Sequence, residues 1–374
     1  MLLFINIIGL TLLAIFMLFL LNKRGRKTGD QLLMVIIVAF ACYFLSEIWI
    51  QIAMNVWSFA FQSLFSFYIL FPFILYALLL ISDDYKIQPV WWWLGSYDVV
   101  YTAFIISDLL IFNDYTTAEI QELYEAPPLI YHIFYKGHML YSIGVLIWFL
   151  GKLKVYQLKI RDYYSNIEKI RYEWLKYFTW SYLTVNLVSL CVFLPYNFGY
   201  IESIEIPFMA VNIAFTLWLF YFIYHGIKQY SRANFQSEQL TTKAEVPAPA
   251  EKYQSSSLSE KEMNGIYDQV KKLFKSEQIF HNPELKIQHL AEELDLTVHN
   301  ISQTINSKTG KPFYDLVNQY RVEHLKTLLT NPEKNRFTIL ALGFESGFNS
   351  KASMNRIFKQ HTDQTPREFK LAQA

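Results

Sequence analysis

Only two cysteines occur in 374 residues, Cys42 and Cys191. Each lies inside an apolar run where a thiol behaves as a small hydrophobe, so neither a disulfide framework nor a zinc site is expected. Catalytic signatures are missing as well: there is no nucleophile elbow, Walker loop, kinase block or HExxH, and His225 and His281 stand alone. No catalytic residue, metal or cofactor is expected, and the chain does not read as an enzyme. Charge is scarce too, at 17% against 53% hydrophobic residues, with a formal net charge of only +1. That balance is too greasy for an ordinary soluble protein and too charged for a pure membrane bundle, so it averages two unlike halves. From Met1 to about Gly226, apolar runs dense in Phe, Tyr, Trp, Leu and Ile follow one another; from Lys228 onward the sequence reads as soluble.

A helix crosses the hydrocarbon core with about 20 apolar residues, because lipid offers its backbone no hydrogen-bond partners. Seven stretches qualify, near 2–21, 31–54, 59–82, 90–112, 133–151, 177–196 and 207–226. The first has no basic residue before it and no small-residue cleavage site after it, so it is expected to be a span and not a signal peptide. Lys and Arg are absent from 55–58, 113–132 and 197–206, whereas Lys23, Arg24, Arg26 and Lys27 follow the first span and Lys152, Lys154, Lys159, Arg161, Lys169, Arg171 and Lys176 follow the fifth. Positively charged loops stay cytoplasmic, which predicts a multi-pass protein of the inner (cytoplasmic) membrane with its N-terminus outside and its C-terminal part inside.

Between spans five and six, apolar residues at Leu153, Tyr156, Ile160, Tyr163, Ile167, Ile170 and Trp174 keep helical spacing, and Ser165 with Glu168 reads as a capping box that starts a second helix. The expectation is a helix lying on the membrane surface by its basic face; the alternative is an arm that touches the C-terminal domain.

Ionisable and amide side chains inside a span are costly and usually face the bundle interior. Glu47, Gln51 and Asn55 recur every four residues in the second span, which places them on one helix face toward its outer end. With Lys136 and His138 at a similar depth, they form a candidate pocket for an unknown signal ligand. Asp98, Asp108 and His132 could extend it, while Asn186 and Asn212 read as interhelical hydrogen-bonding residues. The span 207–226 has no lysine, which excludes a retinal Schiff base. Transport would predict an internal repeat or a pair of broken helices; Pro72 kinks one span without a counterpart.

The composition shifts between 231 and 258 to Ala, Pro, Glu, Gln, Ser and Thr, which predicts a flexible cytoplasmic tether. Helix resumes at Ser259, where Glu262 completes a capping box. Two similar units follow, near 287–306 and 339–361. In the first, Leu290, small Ala291 and Leu294 precede the turn Asp295-Leu296, and Thr297 caps a helix with Ile301 and Ile305 inward. In the second, Leu342 and Gly343 precede the turn Gly347-Phe348 and a helix with Met354 and Phe358 inward. A helix-turn-helix needs this pattern, because only a small side chain lets the second helix cross closely over the first. A helix from about Pro312 to Leu329 joins the two units.

Residues 259–374 resemble the DNA-binding domain of the AraC-type transcription regulators. Gly347-Phe348-Asn349-Ser350-Lys351-Ala352-Ser353-Met354-Asn355-Arg356-Ile357-Phe358-Lys359 follows that family's second-unit signature, and Thr365-Pro366-Arg367-Glu368-Phe369-Lys370 follows its closing motif. Gly343 stands where the family usually has Ala, Met354 where Phe is common, and Asp363 where Gly is usual, a position asking for a left-handed residue that Asp can supply.

The resemblance implies double-stranded DNA as partner, with one helix of each unit in successive major grooves and a homodimer as a candidate assembly on DNA. It also implies contacts by His299, Asn300 and Gln303 in the first unit and by Lys351, Asn355, Arg356 and Lys359 in the second. From 334 to 374, 7 Lys and Arg face 3 Asp and Glu, so the second unit should attract phosphate more.

The expected fold is therefore all-α, a seven-transmembrane helical bundle (1–230), a tether (231–258) and a double helix-turn-helix domain (259–374). The expected function is a membrane-bound one-component transcription regulator. The alternative is a transporter-like or anchor-only bundle that carries a regulatory DNA-binding domain released by cleavage in the tether.

Overall fold

A computed structural model describes residues 2–22, 28–65, 70–82, 86–168, 170–197, 200, 206, 207, 209–221, 225 and 258–373. The tether, the basic cluster Lys23 to Lys27 and the acidic residues Glu202 and Glu205 lie outside the described residues. Among those described there is no β-strand, and one isolated antiparallel bridge joins Tyr164 to Lys286. The chain divides into two compact units. One comprises Met1–Leu153 with Glu173–Pro249, the other Lys154–Tyr172 with Ala250–Ala374.

The first unit contains α1 (Leu2–Leu21), α2 (Thr28–Ile52), α3 (Val56–Phe65), α4 (Leu70–Ile81), α5 (Ser96–Ile106), α6 (Thr117–Glu125), most of α7 (Leu129–Tyr163), α8 (Glu173–Asn197) and α9 (Met209–Tyr221). Among the described residues five helical segments are long and apolar enough to cross a membrane: Leu3–Leu21, Asp30–Ile52, Val56–Ile81, Pro89–Ile111 and Leu129–Tyr163. The sixth expected span corresponds to α8, which falls outside that set, and the seventh to the shorter apolar helix α9. The fourth is composite. A 3-10 segment, Pro89–Gly95, leads into α5, which ends in a π-helical turn, Ser107–Phe112.

These helices are apolar on both sides. Helix α1 buries Leu13, Phe16 and Leu20 while Phe4, Ile15 and Leu18 stay exposed, and Leu140 on α7 and Leu217 on α9 are exposed as well. One cluster packs Ile50 of α2, Phe59 of α3, Tyr101 and Ile105 of α5, Ile120 of α6 and Tyr131 of α7.

The second unit follows the expected order. Helix α10 (Glu260–Lys275) starts at the Ser259/Glu262 capping box, in which both reciprocal hydrogen bonds form. Helices α11 (Ile287–Leu294) and α12 (Val298–Thr309) make the first helix-turn-helix, and α13 (Phe313–Thr330) leads to the second, α14 (Ile339–Glu345) with α15 (Lys351–Thr362). Helix α16 (Pro366–Ala372) closes the unit with Pro366 in its first turn and the Thr365/Glu368 capping box complete. Asp363 takes the left-handed conformation (φ 60°) at the end of α15, so it does what the usual glycine does there.

Segment 154–172 corrects the membrane-surface expectation. It belongs to the second unit, as the end of α7 and the turn that follows. Ile160 and Ile167 are buried in the same core as Leu325, Leu342, Met354 and Phe358, while Tyr163 packs against the core built on Phe274, Leu290 and Ile301. The apolar stripe is satisfied by protein, so the alternative, an arm against the C-terminal domain, is the one observed. Nor does Ser165 start a helix. Its hydroxyl donates to the carbonyl of Leu285 at 2.6 Å, and helix resumes only at Glu173.

Candidate nucleic-acid interface

Each unit presents its second helix by the same local chemistry. Thr297 caps α12 by accepting from the backbone N–H of Asn300 at 3.2 Å, and Ser350 caps α15 by accepting from that of Ser353 at 3.1 Å. Capping satisfies an orphan N–H and fixes where the helix begins. Both helices bury one face: Ile301, Thr304 and Ile305 in α12, and Ser353, Met354, Ile357 and Phe358 in α15. Gly343 is the close-approach point of the second unit, since a Cβ there would stand 2.2 Å from Met354 Sδ. The glycine and the methionine, both departures from the family pattern, thus complement each other.

The opposite faces carry the expected contact residues. On α12, His299 is exposed and Asn300 half-buried, while Gln303 is half-buried with its Oε1 turned away from solvent. On α15, Lys351 and Lys359 are exposed and Asn355 is half-buried. Arg356 is engaged: its Nη2 donates to the Tyr314 hydroxyl at 3.2 Å and lies 3.6 Å from Glu168 Oε1. Burial alone would lower its pKa, but the Tyr314 hydroxyl and the Glu168 carboxylate together hold it above the ordinary value.

The turn before the first helix-turn-helix unit and the segment around Ser165 are tied to α13 by Arg321, a residue that sequence reasoning missed. It is 2% exposed and its guanidinium donates to the carbonyl oxygens of Phe280 (2.9 Å), Asn282 (2.7 Å) and Ser165 (3.4 Å), to Ser165 Oγ (3.1 Å) and to Asn318 Oδ1 (3.3 Å). Burial pulls its pKa down to about 10, so it keeps its charge at neutral pH. The signal was its register: Tyr314, Val317, Arg321, Leu325 and Leu328 lie on one inward stripe of α13.

Residues 290–372 match the family model described as "Helix-turn-helix domain". The C-terminal part of this chain is a helix-turn-helix domain of the AraC type. The chain is also similar to uncharacterized HTH-type transcriptional regulators of Staphylococcus aureus strains COL and MSSA476, each 32% identical over 91 residues. Those 91 residues are 24% of this chain and 12% of each relative, so the match covers only a small part of their length. No solved structure matches the chain.

Beside Arg321 in the AraC-type domain, the rings of His281 and His324 lie 4.5 Å apart, and His324 Nδ1 is 3.2 Å from Ser346 Oγ. Burial lowers both pKa values below the ordinary 6.5; Arg321 adds to this for His281, and His281 adds to it for His324, against the opposing pull of Glu345. The unfolded chain therefore takes up protons that the folded one resists. The contribution to stability is complete above the unfolded pKa and falls as pH drops below it. Protection factors of the α13 and α14 amides, which remove the intrinsic slowing of exchange with falling pH, should drop between about pH 7 and pH 5, and less so in His324→Gln. A flat profile would show that the histidine pair is not linked to folding.

In the first unit the expected stripe Glu47, Gln51 and Asn55 is not continuous on α2. Glu47 is 2% exposed and accepts from Gln62 Nε2 at 3.1 Å. Helix α2 ends at Ile52, so Asn55 lies outside it, and Asn55 Oδ1 instead accepts from the backbone N–H groups of Trp57 and Ser58 at the start of α3. Gln51 and Lys136 are exposed. His138 is buried against Asp98, with Nε2 to Oδ1 at 3.4 Å. Asp108 accepts from the Tyr131 hydroxyl at 2.6 Å. Asn212 accepts from the Tyr43 hydroxyl at 3.1 Å, joining two helices as expected, whereas Asn186 donates to Tyr182 within its own helix.

Proposed function

We propose that this protein is a membrane-bound one-component transcription regulator, in which a signal received by the helical bundle alters DNA binding by the AraC-type domain in the cytoplasm. The observation that carries this reading is the joining, in one chain, of tandem helix-turn-helix units to helices that bury one apolar face and expose another. Exposed apolar residues such as Phe4, Ile15, Leu140 and Leu217 suit a lipid environment, and the distribution of Lys and Arg favours an outside N-terminus and an inside C-terminus. The bound DNA is duplex, with His299, Asn300 and Gln303 in one major groove and Lys351, Asn355, Arg356 and Lys359 in the next. A homodimer on paired sites and a ligand near Glu47 or the Asp98–His138 pair belong to the same reading.

Chromatin immunoprecipitation of the full chain, with membrane fractionation of the same cells, tests it. Enrichment of discrete sites by a membrane-pelleting protein is expected. Recovery in the soluble fraction, or no enrichment, would overturn it. Arg356→Ala should weaken specific binding by about 1 to 3 kcal/mol and relax preference at one base position, whereas Lys359→Ala should lower affinity uniformly across sequences. Equal binding by the wild type and Arg356→Ala would remove Arg356 from the interface.

A further inference from the structure

We propose that Glu168 acts as an internal substitute for a DNA phosphate, closing the second recognition helix until the arm that carries it moves. The inference rests on the reading above that α15 meets DNA. Glu168 reaches α15 from 182 residues away in sequence: Ser350 Oγ donates to Glu168 Oε2 at 3.0 Å, and Arg356 Nη2 lies 3.6 Å from Glu168 Oε1. Ser350 caps α15, so the carboxylate stands at the positive end of a 12-residue helix. A capping hydroxyl, a guanidinium and a helix N-terminus are the groups with which proteins grip DNA phosphates. A phosphate and Glu168 cannot use them together, because the two anions would repel at that separation.

The carboxylate is positioned and not left to swing. The turn that bears it is anchored on both sides of the residue: before it, Ser165 donates to Leu285 and accepts from Arg321, and Ile167 is buried in the core of the second unit; after it, Ile170 packs against that core and its carbonyl accepts from the Tyr156 hydroxyl at 2.9 Å. Three further contacts hold the arm to the same domain. Arg161 pairs with Asp315 at 2.6 Å, Asn306 donates to Asp162 at 3.3 Å, and Asn166 donates to Glu284 at 3.4 Å. The arm is continuous in sequence with α7 before it and α8 after it. Any signal that displaces the turn frees Ser350 and the N-terminus of α15 for phosphate and releases Arg356 to the groove.

The test uses the full chain in lipid nanodiscs and a fluorescent mixed-sequence duplex of about 30 base pairs, since a phosphate contact needs no particular sequence. Glu168→Gln keeps the shape of the side chain and removes its charge. It should lower Kd about fivefold to tenfold and steepen the salt dependence of binding by about one phosphate contact. Glu277→Gln removes the same charge from an exposed position elsewhere in the domain and should do neither. Equal gains in both variants would mean that only overall charge matters, and no gain in Glu168→Gln would mean that Glu168 does not compete with DNA; either overturns the proposal.

A second measurement does not depend on that variant. With Cys42 and Cys191 replaced by Ser, the pair Asn166→Cys and Glu284→Cys can lock the arm by a disulfide. Oxidation should weaken duplex binding and reduction should restore it. Unchanged binding in the locked form overturns the proposal. If no form binds duplex at any salt concentration, the DNA-binding reading itself fails, an outcome distinct from the others.

Discussion

Arg321→Met is expected to destabilise the AraC-type domain by about 3 kcal/mol, with the loss concentrated in α13 and in the turns it holds. Methionine fills much of the same volume but donates nothing. The carbonyls of Phe280 and Asn282 and the Ser165 hydroxyl oxygen would then sit beside an apolar chain without the donor they have now, while the Ser165 carbonyl keeps only Asn318. Each buried acceptor left unsatisfied costs about 1 to 3 kcal/mol, while removal of the buried guanidinium, itself expensive to desolvate, offsets part of the sum. Arg321→Lys should fall between, because one ammonium cannot serve acceptors on several sides. Amide exchange of the full chain reads the effect where it arises. Unchanged protection of α13 in Arg321→Met would mean that the network contributes nothing to stability.

Gly347→Ala should be comparably severe, at about 3 kcal/mol, for a different reason. Gly347 has φ +88°, and a Cβ there would lie 2.3 Å from the carbonyl oxygen of Phe280 and 3.0 Å from Arg321 Nε. The left-handed conformation costs a non-glycine residue about 1 to 2 kcal/mol, and the oxygen cannot move aside because it belongs to the backbone and already accepts from Arg321. Two other glycines calibrate the prediction. At Gly343 the obstacle is the flexible side chain of Met354, so Ala should cost about 1 kcal/mol; at Gly310 (φ +66°) nothing lies within 4 Å and only the backbone strain remains. The order of the three alanine variants is the test. Gly347→Ala as mild as Gly310→Ala would show that the turn yields freely.

The contrast between these glycines follows what a sequence can and cannot convey. The helix-turn-helix units were legible because their information is local: a capping Thr or Ser, an inward apolar pair four residues apart and a small residue at the crossing all lie within about 20 positions. The seat of the arm was not. Tyr156, Ile160, Tyr163 and Ile167 make a helical stripe whose partner could equally be lipid or protein, and periodicity alone does not say which. The polar residues of the bundle failed for another reason. Four-residue spacing places Glu47, Gln51 and Asn55 on one face only if the helix continues, and it ends at Ile52. Asn55 followed three residues later by Ser58 was the readable sign of a new helix start.

A domain that borrows part of its core from a segment about 90 residues upstream behaves unusually when the chain is cut. Were a protease to nick the chain between 231 and 257, the covalent connection would be lost while the seat of Ile160, Ile167 and Ser165 stayed filled. The two fragments would remain together as a complemented pair, held by the same buried contacts that an intact chain uses. Freeing the domain by proteolysis would require it to give up those contacts and expose the apolar groove they cover, a surface prone to aggregation. Such an architecture favours control by movement of an attached segment over control by scission.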